Sequence, residues 1–251
     1  VDDLITAGTE YDQVSVNGTV DITDTTLNLV DNTASVGTLG DLLILIDNDG
    51  TDAVTGTFSG QPNGSDVPFN GETWQIFYDG GDGNDVVLAF MPAVIGEVYV
   101  NDDFNQPNGS FITDADTNTA GDQNAVKGVT AFLTIQEGVD AVDIAGNVFI
   151  TDDLSADGPG TYLENVTLPK SVNIIGTEGD PAAVLADGSS AGRVFTDASG
   201  PALDIILDGI TVQNGLTGGL GGGGIFIDGN STLSINNSIF SFSERSPFSF
   251  D

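Results

Sequence analysis

The sequence contains no cysteine, no histidine and only four basic residues. Without cysteine it cannot form a disulfide framework, a thiolate nucleophile or a zinc–thiolate site. Without histidine it lacks an imidazole base and the commonest nitrogen ligand of metal ions. Four cations cannot build the basic face that binds nucleic acid. These absences exclude nucleic acid as a partner and leave hard cations, above all calcium, as the metals to consider.

Acidic residues are abundant instead. The 251 residues include 38 Asp and Glu, which gives a formal net charge of −34. Only seven of these are Glu, and the other 31 are Asp, a residue that favours turns because its short carboxylate binds nearby backbone N–H groups. The 39% of hydrophobic residues is enough for a core and excludes a disordered acidic tail. A solvated acidic surface and turns neutralised by calcium both explain the charge.

No apolar run reaches the roughly 18 residues that a transmembrane helix needs. The chain starts VDDLITAG and ends SERSPFSFD, without an initiator methionine, a signal peptide or a visible closing element. We interpret it as a piece of a longer polypeptide that is truncated at its C-terminus. The missing signal therefore does not argue against export.

Strand patterns fill the first 90 residues, where no helix is needed. Period-two alternation occurs at 14–16, 20–22 and 27–29, and residues 42–46 form a continuous apolar run typical of a strand buried on both faces. Further strands are predicted at 54–58, 73–78 and 86–90. A boundary is predicted near Pro92, so the domains are a smaller β-rich module at 1–93 and a second module at 94–251.

The second module begins with a strand at 98–100 and a polar loop at 101–130. Next comes the one predicted helix, at 134–142, which opens with the capping-box spacing of Thr134 and Glu137.

A sequence repeat follows the helix. Ile205, Leu207, Ile210 and Val212 have counterparts 28 residues later in Leu233, Ile235, Ser238 and Phe240, and Val194-Phe195 precedes Ile225-Phe226 by 31. Three short strands per period of about 30 residues indicate a β-solenoid, whose open end the helix would cap.

Residues 98–243 resemble the start of a right-handed parallel β-helix of the pectin-lyase-like class. The resemblance rests on AFLTIQEGVDAVDIAGNVFI, GTYLENVTLPKSVNIIG, LDIILDGITVQNG and GGGGIFIDGNSTLSINNSIF. Residues 11–90 are similar to a β-rich segment of large bacterial surface and autotransporter-type proteins, through LLILIDNDGTDAVTGTFSG and FYDGGDGNDVVL. The resemblance implies an all-β protein, a right-handed parallel β-helix (β-solenoid) with one short capping helix after a smaller β-rich module. It also implies an extracellular or cell-surface bacterial location.

This fold hosts enzymes, adhesins and passive stalks, so the fold alone does not assign a function. We expect a structural or adhesin-like protein without catalytic residues, whose loops contact glycans or other surface components. One alternative is a polysaccharide lyase or hydrolase with its active groove beyond residue 251. Another is a calcium-stabilised module of an exported protein.

Catalysis is disfavoured by the scarcity of basic residues. The resemblance implies that lyases on this fold combine calcium-binding carboxylates with an Arg or Lys base. The four cations are Lys127, Lys170, Arg193 and Arg245. Lys170 is predicted in a rung turn and Arg193 just before a strand, and neither lies in a recognisable partner motif. The strong negative charge would also repel polyuronates. The adjacent pairs Asp102-Asp103 and Asp152-Asp153 are interpreted as surface turns, because neighbours in an extended chain point to opposite faces.

Three Asp-rich segments are candidate calcium sites. Residues 80–88 match the calcium nonapeptide G-G-x-G-x-D-x-U-x in a single copy, which nominates Asp82 and Asp85. The other two segments nominate Asp47, Asp49 and Asp52 in DNDGTD, and Asp114, Asp116 and Asn118 further along. The last group has the alternating ligands of an EF-hand, but Thr119 and Ala125 replace its Gly and Glu. Solvated turns are the competing explanation for all three segments.

Overall fold

A computed structural model describes residues 7–8, 11–30, 37–48, 50–152, 158–197, 200–217 and 222–241. Asp49, Asp153 and Arg245 lie outside these ranges. The described residues are mostly β, with a parallel β-solenoid and a single short α-helix, which confirms the predicted fold class. No helix in the described ranges is long and apolar enough to cross a membrane.

The elements are short. The strands of the first half are β1 (Val14–Val16), β2 (Leu42–Asn48), β3 (Ser65–Phe69), β4 (Glu72–Gly80), β5 (Asp85–Met91), β6 (Glu97–Val100), β7 (Phe111–Ile112), β8 (Ala125–Val126) and β9 (Ala131–Phe132). After the helix α1 (Ile135–Ala141) come β10 (Asn147–Ile150), β11 (Gly160–Leu163), β12 (Val166–Leu168), β13 (Val172–Gly176), the 3-10 helix η1 (Pro181–Ala183), β14 (Val184–Asp187) and β15 (Phe195–Asp197). The last strands are β16 (Asp204–Asp208), β17 (Thr211–Gln213), β18 (Ile225–Phe226), β19 (Thr232–Asn236) and β20 (Ile239–Ser241).

The chain divides into two compact units. The first, called here the β-rich unit, comprises residues 1–94, 105–115 and 122–131. The second, called the β-helix unit, comprises residues 95–104, 116–121 and 132–251. The segment predicted as one polar loop, 101–130, therefore contributes to both units, and it contains the antiparallel strands β7 and β8.

The β-rich unit contains a five-stranded sheet in the order β1-β2-β5-β4-β3, in which β1 is parallel to β2 and the other pairs are antiparallel. Its core includes Trp74, Ile76 and Leu88. The strand predicted at 54–58 is reduced to a single bridge between Asp21 and Thr55. Gly56 explains this difference, because its φ of +79° takes the chain out of the extended conformation.

Parallel strands stack in three sheets in the β-helix unit. Their orders are β6-β10-β13-β16-β19, β11-β14-β17-β20 and β12-β15-β18, with β9 beyond β6. Each successive turn of the chain, called here a rung, adds one strand to each sheet. The predicted 28-residue repeat is confirmed, since Ile205 pairs with Leu233 and Val212 pairs with Phe240.

The 31-residue spacing predicted between the Val194-Phe195 and Ile225-Phe226 pairs is wrong by one residue. Phe195 lies beside Ile225, and Thr196 lies beside Phe226. Alternation along a strand sets this register, because a slip of one residue would turn every inward side chain outward. Phe195 is fully buried and Thr196 is half-buried, and the observed pairing places Ile225 in the inward column of Phe195.

Columns of apolar side chains fill the interior of the β-helix unit. One column in the largest sheet runs through Val98, Val148, Ile174 and Leu207, which are all fully buried, and ends at Ile235. Parallel strands lie about 4.8 Å apart, so each side chain packs directly on its counterpart in the next rung. Apolar burial along these columns holds the stack together.

The helix α1 caps this interior, as predicted. Ile135, Val139 and Val142 are fully buried. A Cβ on Gly138 would lie 2.7 Å from a methyl carbon of Val100 and 3.1 Å from one of Val148. These two residues are inward-facing members of the first rungs, so the helix lies directly on the apolar columns.

Side chains satisfy the N–H groups at the start of α1. The predicted capping box is confirmed, with the Thr134 hydroxyl accepting from the Glu137 N–H and the Glu137 carboxylate accepting from the Thr134 N–H. The Glu164 carboxylate accepts from the Ile135 N–H at 2.7 Å and from the Gln136 N–H at 2.9 Å. Burial raises the pKa of Glu164, and these two hydrogen bonds oppose that rise. Glu164 thereby ties the helix to the rung that follows it.

Candidate functional site

Two acidic turns lie side by side in the β-rich unit. The first consists of the last two residues of β2, Asp47 and Asn48, and residues 50–52 after it. The second consists of residues 80–85, where β4 is followed by β5. Because β2 is antiparallel to β5, with Ile46 opposite Val86, the end of one strand lies beside the start of the other. The fold thus brings together two predicted calcium segments, 47–52 and 80–88, that are well separated in the sequence. We call the group formed by Asp47, Asn48, Asp52, Asp82, Asn84 and Asp85 the two-turn cluster.

Amide groups connect the two turns. The Asn48 N–H donates to Asp85 Oδ1 at 2.8 Å. The Asp52 carbonyl accepts from Asn48 Nδ2 at 2.7 Å and from Asn84 Nδ2 at 3.1 Å. Asn48, Asn84 and Asp85 are each less than 7% exposed. The junction is therefore buried at Asn48, Asn84 and Asp85, whereas Asp47 and Asp52 are half-buried and Asp82 is exposed.

Two glycines leave room for the carboxylates of the cluster, Gly50 for one on the other turn and Gly81 for one on its own turn. Gly50 has a φ of +86°, and a Cβ there would lie 2.9 Å from Asp82 Oδ2. Gly81 has a φ of +60°, and a Cβ there would collide with Asp85 Oδ2. Any other residue at these positions would strain the backbone and displace a carboxylate.

The electrostatic environment of the cluster is negative. Burial raises the pKa of Asp85, the hydrogen bond from Asn48 lowers it, and the charges of Asp82 and Asp47 raise it further. The charges that act on this carboxyl thus come from neighbouring carboxylates.

Two oxygens in the cluster are buried without a hydrogen bond. They are Oδ2 of Asp52 and Oδ1 of Asn84, and no donor in the described part of the chain reaches either atom. Buried polar atoms almost always have a partner, so each exception needs an explanation. Sequence reasoning missed Asn84 because the nonapeptide assigns no role to that position.

The donor set is mixed rather than purely acidic. Within the described ranges, no three His, Cys, Asp or Glu side chains come together as a metal-binding group. The two-turn cluster combines carboxylates with an asparagine oxygen and nearby carbonyl groups, and its predicted member Asp49 lies outside the described residues. Only a cation that accepts mixed oxygen ligands suits such a set.

The third predicted segment is divided between the units. Asp114 belongs to the β-rich unit, whereas Asp116 and Asn118 belong to the β-helix unit. Asp116 accepts from the hydroxyls of Thr119 and Thr177, at 2.6 Å and 3.1 Å. Hydrogen bonds within the protein thus occupy the Asp116 carboxylate.

Asn118 makes a similar structural contact. Its Nδ2 donates to the Glu178 carboxylate at 2.7 Å. Glu178 also accepts from the Asp152 N–H at 2.7 Å, and burial raises the pKa of Glu178. Asn118 and Glu178 therefore join the segment 116–121 to the rungs of the β-helix unit.

The interpretation of Asp152 as part of a surface turn is wrong. Asp152 is 1% exposed, and its Oδ2 accepts from the Gly160 N–H at 2.8 Å. Asp102 Oδ2 accepts from the next N–H in β11, that of Thr161, at 3.3 Å. Two carboxylates thus position the start of β11, where the Tyr162 hydroxyl donates to the Thr151 carbonyl at 3.2 Å.

Carboxylates elsewhere in the β-helix unit connect successive rungs. Asp187 Oδ2 accepts from Gln213 Nε2 at 2.9 Å and from Asn214 Nδ2 at 2.7 Å, both in the next rung. Asp208 accepts from Asn237 and Asp197 accepts from Ser231 in the same way. These carboxylates therefore join each rung to the next by hydrogen bonds.

The described cations of the β-helix unit also make structural contacts. Lys170 Nζ donates to the Asp140 carbonyl at 2.9 Å. Arg193 Nε donates to the Gly222 carbonyl at 3.3 Å, and the guanidinium lies 4.3 Å from the centre of the Phe226 ring. This last distance is within the range of a cation–π interaction.

No protein-family model matches the chain, and no curated protein or solved structure matches it either. The assignment of a parallel β-solenoid therefore rests on its strand pairing and its interior columns.

Proposed function

We propose that this chain is a non-catalytic structural module of a secreted or cell-surface bacterial protein, an adhesin-like β-helix whose loops contact glycans or other surface components. The observation that carries the proposal is the use of its acidic side chains. Asp187, Asp197 and Asp208 each accept a hydrogen bond from the neighbouring rung. Acidic side chains that bind the neighbouring rung hold the rungs together, and this structural use supports the role of a scaffold.

The outward columns of the largest sheet support the same conclusion. A lyase on such a scaffold would need Asp together with Arg or Lys on one strand face across successive rungs. One outward column consists of Glu97, Asn147, Asn173, Ile206 and Ser234. The other consists of Tyr99, Phe149, Ile175, Asp208 and Asn236. Both are mainly amide, hydroxyl, aromatic and aliphatic, a composition that suits a stalk better than a catalytic groove.

We further propose that the β-helix is right-handed and of the pectin-lyase-like class, and that the β-rich unit is of the bacterial surface-protein type. The GTYLEN segment supports this proposal. Its first four residues form β11, and its Glu164 holds the N-terminus of the capping helix. A short helix followed by this turn is the opening that the resemblance implies.

Two measurements test the proposal, one of cellular location and one of enzymatic activity. Mild protease treatment of intact source cells, followed by mass spectrometry, is expected to release peptides of this chain from the cell surface. The full chain incubated with pectate, alginate and neutral glycans is expected to produce no unsaturated products and no new reducing ends. Recovery from the cytoplasm alone would contradict the proposed location. Polysaccharide turnover that rises with protein concentration would contradict the structural role.

A further inference from the structure

We propose that the two-turn cluster binds one calcium ion, with Asp52 and Asn84 as ligands and Asp82 and Asp85 supplying further negative charge. The site would join the turn after β2 to the turn between β4 and β5. It does not depend on the function proposed above, because it lies within the β-rich unit alone.

Two buried oxygens of the two-turn cluster have no hydrogen-bond partner in the described part of the chain. Asp52 Oδ2 and Asn84 Oδ1 belong to side chains on different turns, and Asn84 is only 6% exposed. Asn84 Nδ2 donates to the Asp52 carbonyl, so the two residues are in direct contact. A carboxylate oxygen and an amide oxygen can both coordinate the same cation.

The two-turn cluster also concentrates negative charge, because four of its six residues are Asp. Carboxylates reach this junction from the second turn, since Asp82 Oδ2 would lie 2.9 Å from a Cβ on Gly50 and Asp85 Oδ1 accepts from the Asn48 N–H at 2.8 Å, and like charges gathered at one junction repel one another. A buried water could satisfy the two free oxygens, but it would leave this repulsion in place. A divalent cation satisfies the oxygens and offsets the negative charge together.

The donor chemistry selects calcium. Soft and borderline metals prefer thiolate or imidazole ligands, and the sequence has neither Cys nor His. Magnesium demands nearly octahedral geometry, whereas calcium accepts six to eight oxygens of mixed type on flexible turns. Turns that contain Gly50, Gly81 and Gly83, each with a positive φ, provide such backbone.

The arrangement differs from that of the nonapeptide proteins. In those, as the motif implies, calcium lies between consecutive copies of the repeat, and this chain has one copy. Here the end of β2 and residues 50–52 take the place of a second copy. The expected result of binding is a stronger connection between the end of β2 and the start of β5.

The test is calorimetric titration of the full, chelator-treated chain with calcium chloride and, separately, with magnesium chloride. The variants are Asp52→Asn and Asn84→Ala. Asp66→Asn is the matched control, because Asp66 is exposed on β3 in the same unit and its replacement removes the same charge. Circular dichroism without calcium checks that each variant folds.

We expect one saturable calcium site with a dissociation constant of about 10⁻⁴–10⁻³ M, as in extracellular calcium modules. Asp52→Asn and Asn84→Ala should each weaken binding about tenfold or more, and Asp66→Asn should leave it unchanged. The proposal is overturned by the absence of saturable binding, by equal affinity for magnesium, or by equal weakening in all three variants, which would indicate a diffuse ion atmosphere.

Discussion

Replacing Phe195 with Ala is expected to lower the free energy of unfolding by about 4 kcal/mol, the typical cost of removing a buried aromatic side chain. Phe195 is fully buried in β15, where its neighbours in register are Val166 and Ile225. Its ring fills the interior between two rungs. Truncation would leave a cavity that the rigidly spaced strands cannot close by collapsing.

Urea denaturation of Phe195→Ala measures this loss, with Thr167→Ala as the control. Thr167 is exposed on the outward side of β12, in the same sheet. The control should stay within about 0.5 kcal/mol of the original protein. If Phe195→Ala lowered the free energy of unfolding by less than about 1 kcal/mol, with an unchanged m-value, the ring would not fill the interior.

Gly176→Ala is expected to destabilise the protein by about 3 kcal/mol, at the upper end of the usual cost of overpacking. Gly176 ends β13, and an added Cβ would collide with the carbonyl oxygen of Gly209 in the next rung. That oxygen belongs to the backbone, so a side-chain rotation cannot relieve the contact. Gly209 has a φ of +70°, which further restricts how the turn can move.

Thermal unfolding of Gly176→Ala and Gly96→Ala tests this prediction with chemically identical substitutions. A Cβ on Gly96 would meet open space, and the residue lies at the start of a rung in the same unit. We expect a large fall in melting temperature for Gly176→Ala and little change for Gly96→Ala. Equal effects of the two substitutions would contradict the close approach of Gly176 to the Gly209 carbonyl in the next rung.

The repeat was predictable because each inward position of one rung must align with an inward position of the next. Ile205 and Leu207 therefore predicted the positions of Leu233 and Ile235. The helix was predictable from its capping box, which is a local signal. Its attachment to Glu164 was not, because that contact depends on stacking of the following rung.

The two-turn cluster shows where sequence reasoning stops. Each turn was recognisable from its own Asp and Gly residues, but their contact depends on the pairing of β2 with β5, which are far apart in the sequence. Asn48 and Asn84 gave no signal in the motifs. Likewise, Asp152 follows the general preference of Asp for turns, yet it is buried because its carboxylate holds the start of β11.

Successive rungs of the β-helix unit stack in parallel, and side chains of one rung bind those of the next. Asn147 and Asn173 occupy adjacent positions in one outward column, and Asn173 Nδ2 donates to Asn147 Oδ1 at 2.9 Å. Ile206 is the next member of that column. Since the chain has no cysteine, pairs of introduced cysteines report these distances without interference.

The most direct measurement is therefore disulfide formation in two double variants under mild oxidation, followed by mass spectrometry. Adjacent parallel strands are about 4.8 Å apart, within disulfide range, and strands two rungs apart are about twice that distance. Asn147→Cys with Asn173→Cys should form an intramolecular disulfide, and Asn147→Cys with Ile206→Cys should remain reduced. Cross-linking of the second pair but not the first would contradict the stacked rungs and the structural role built on them.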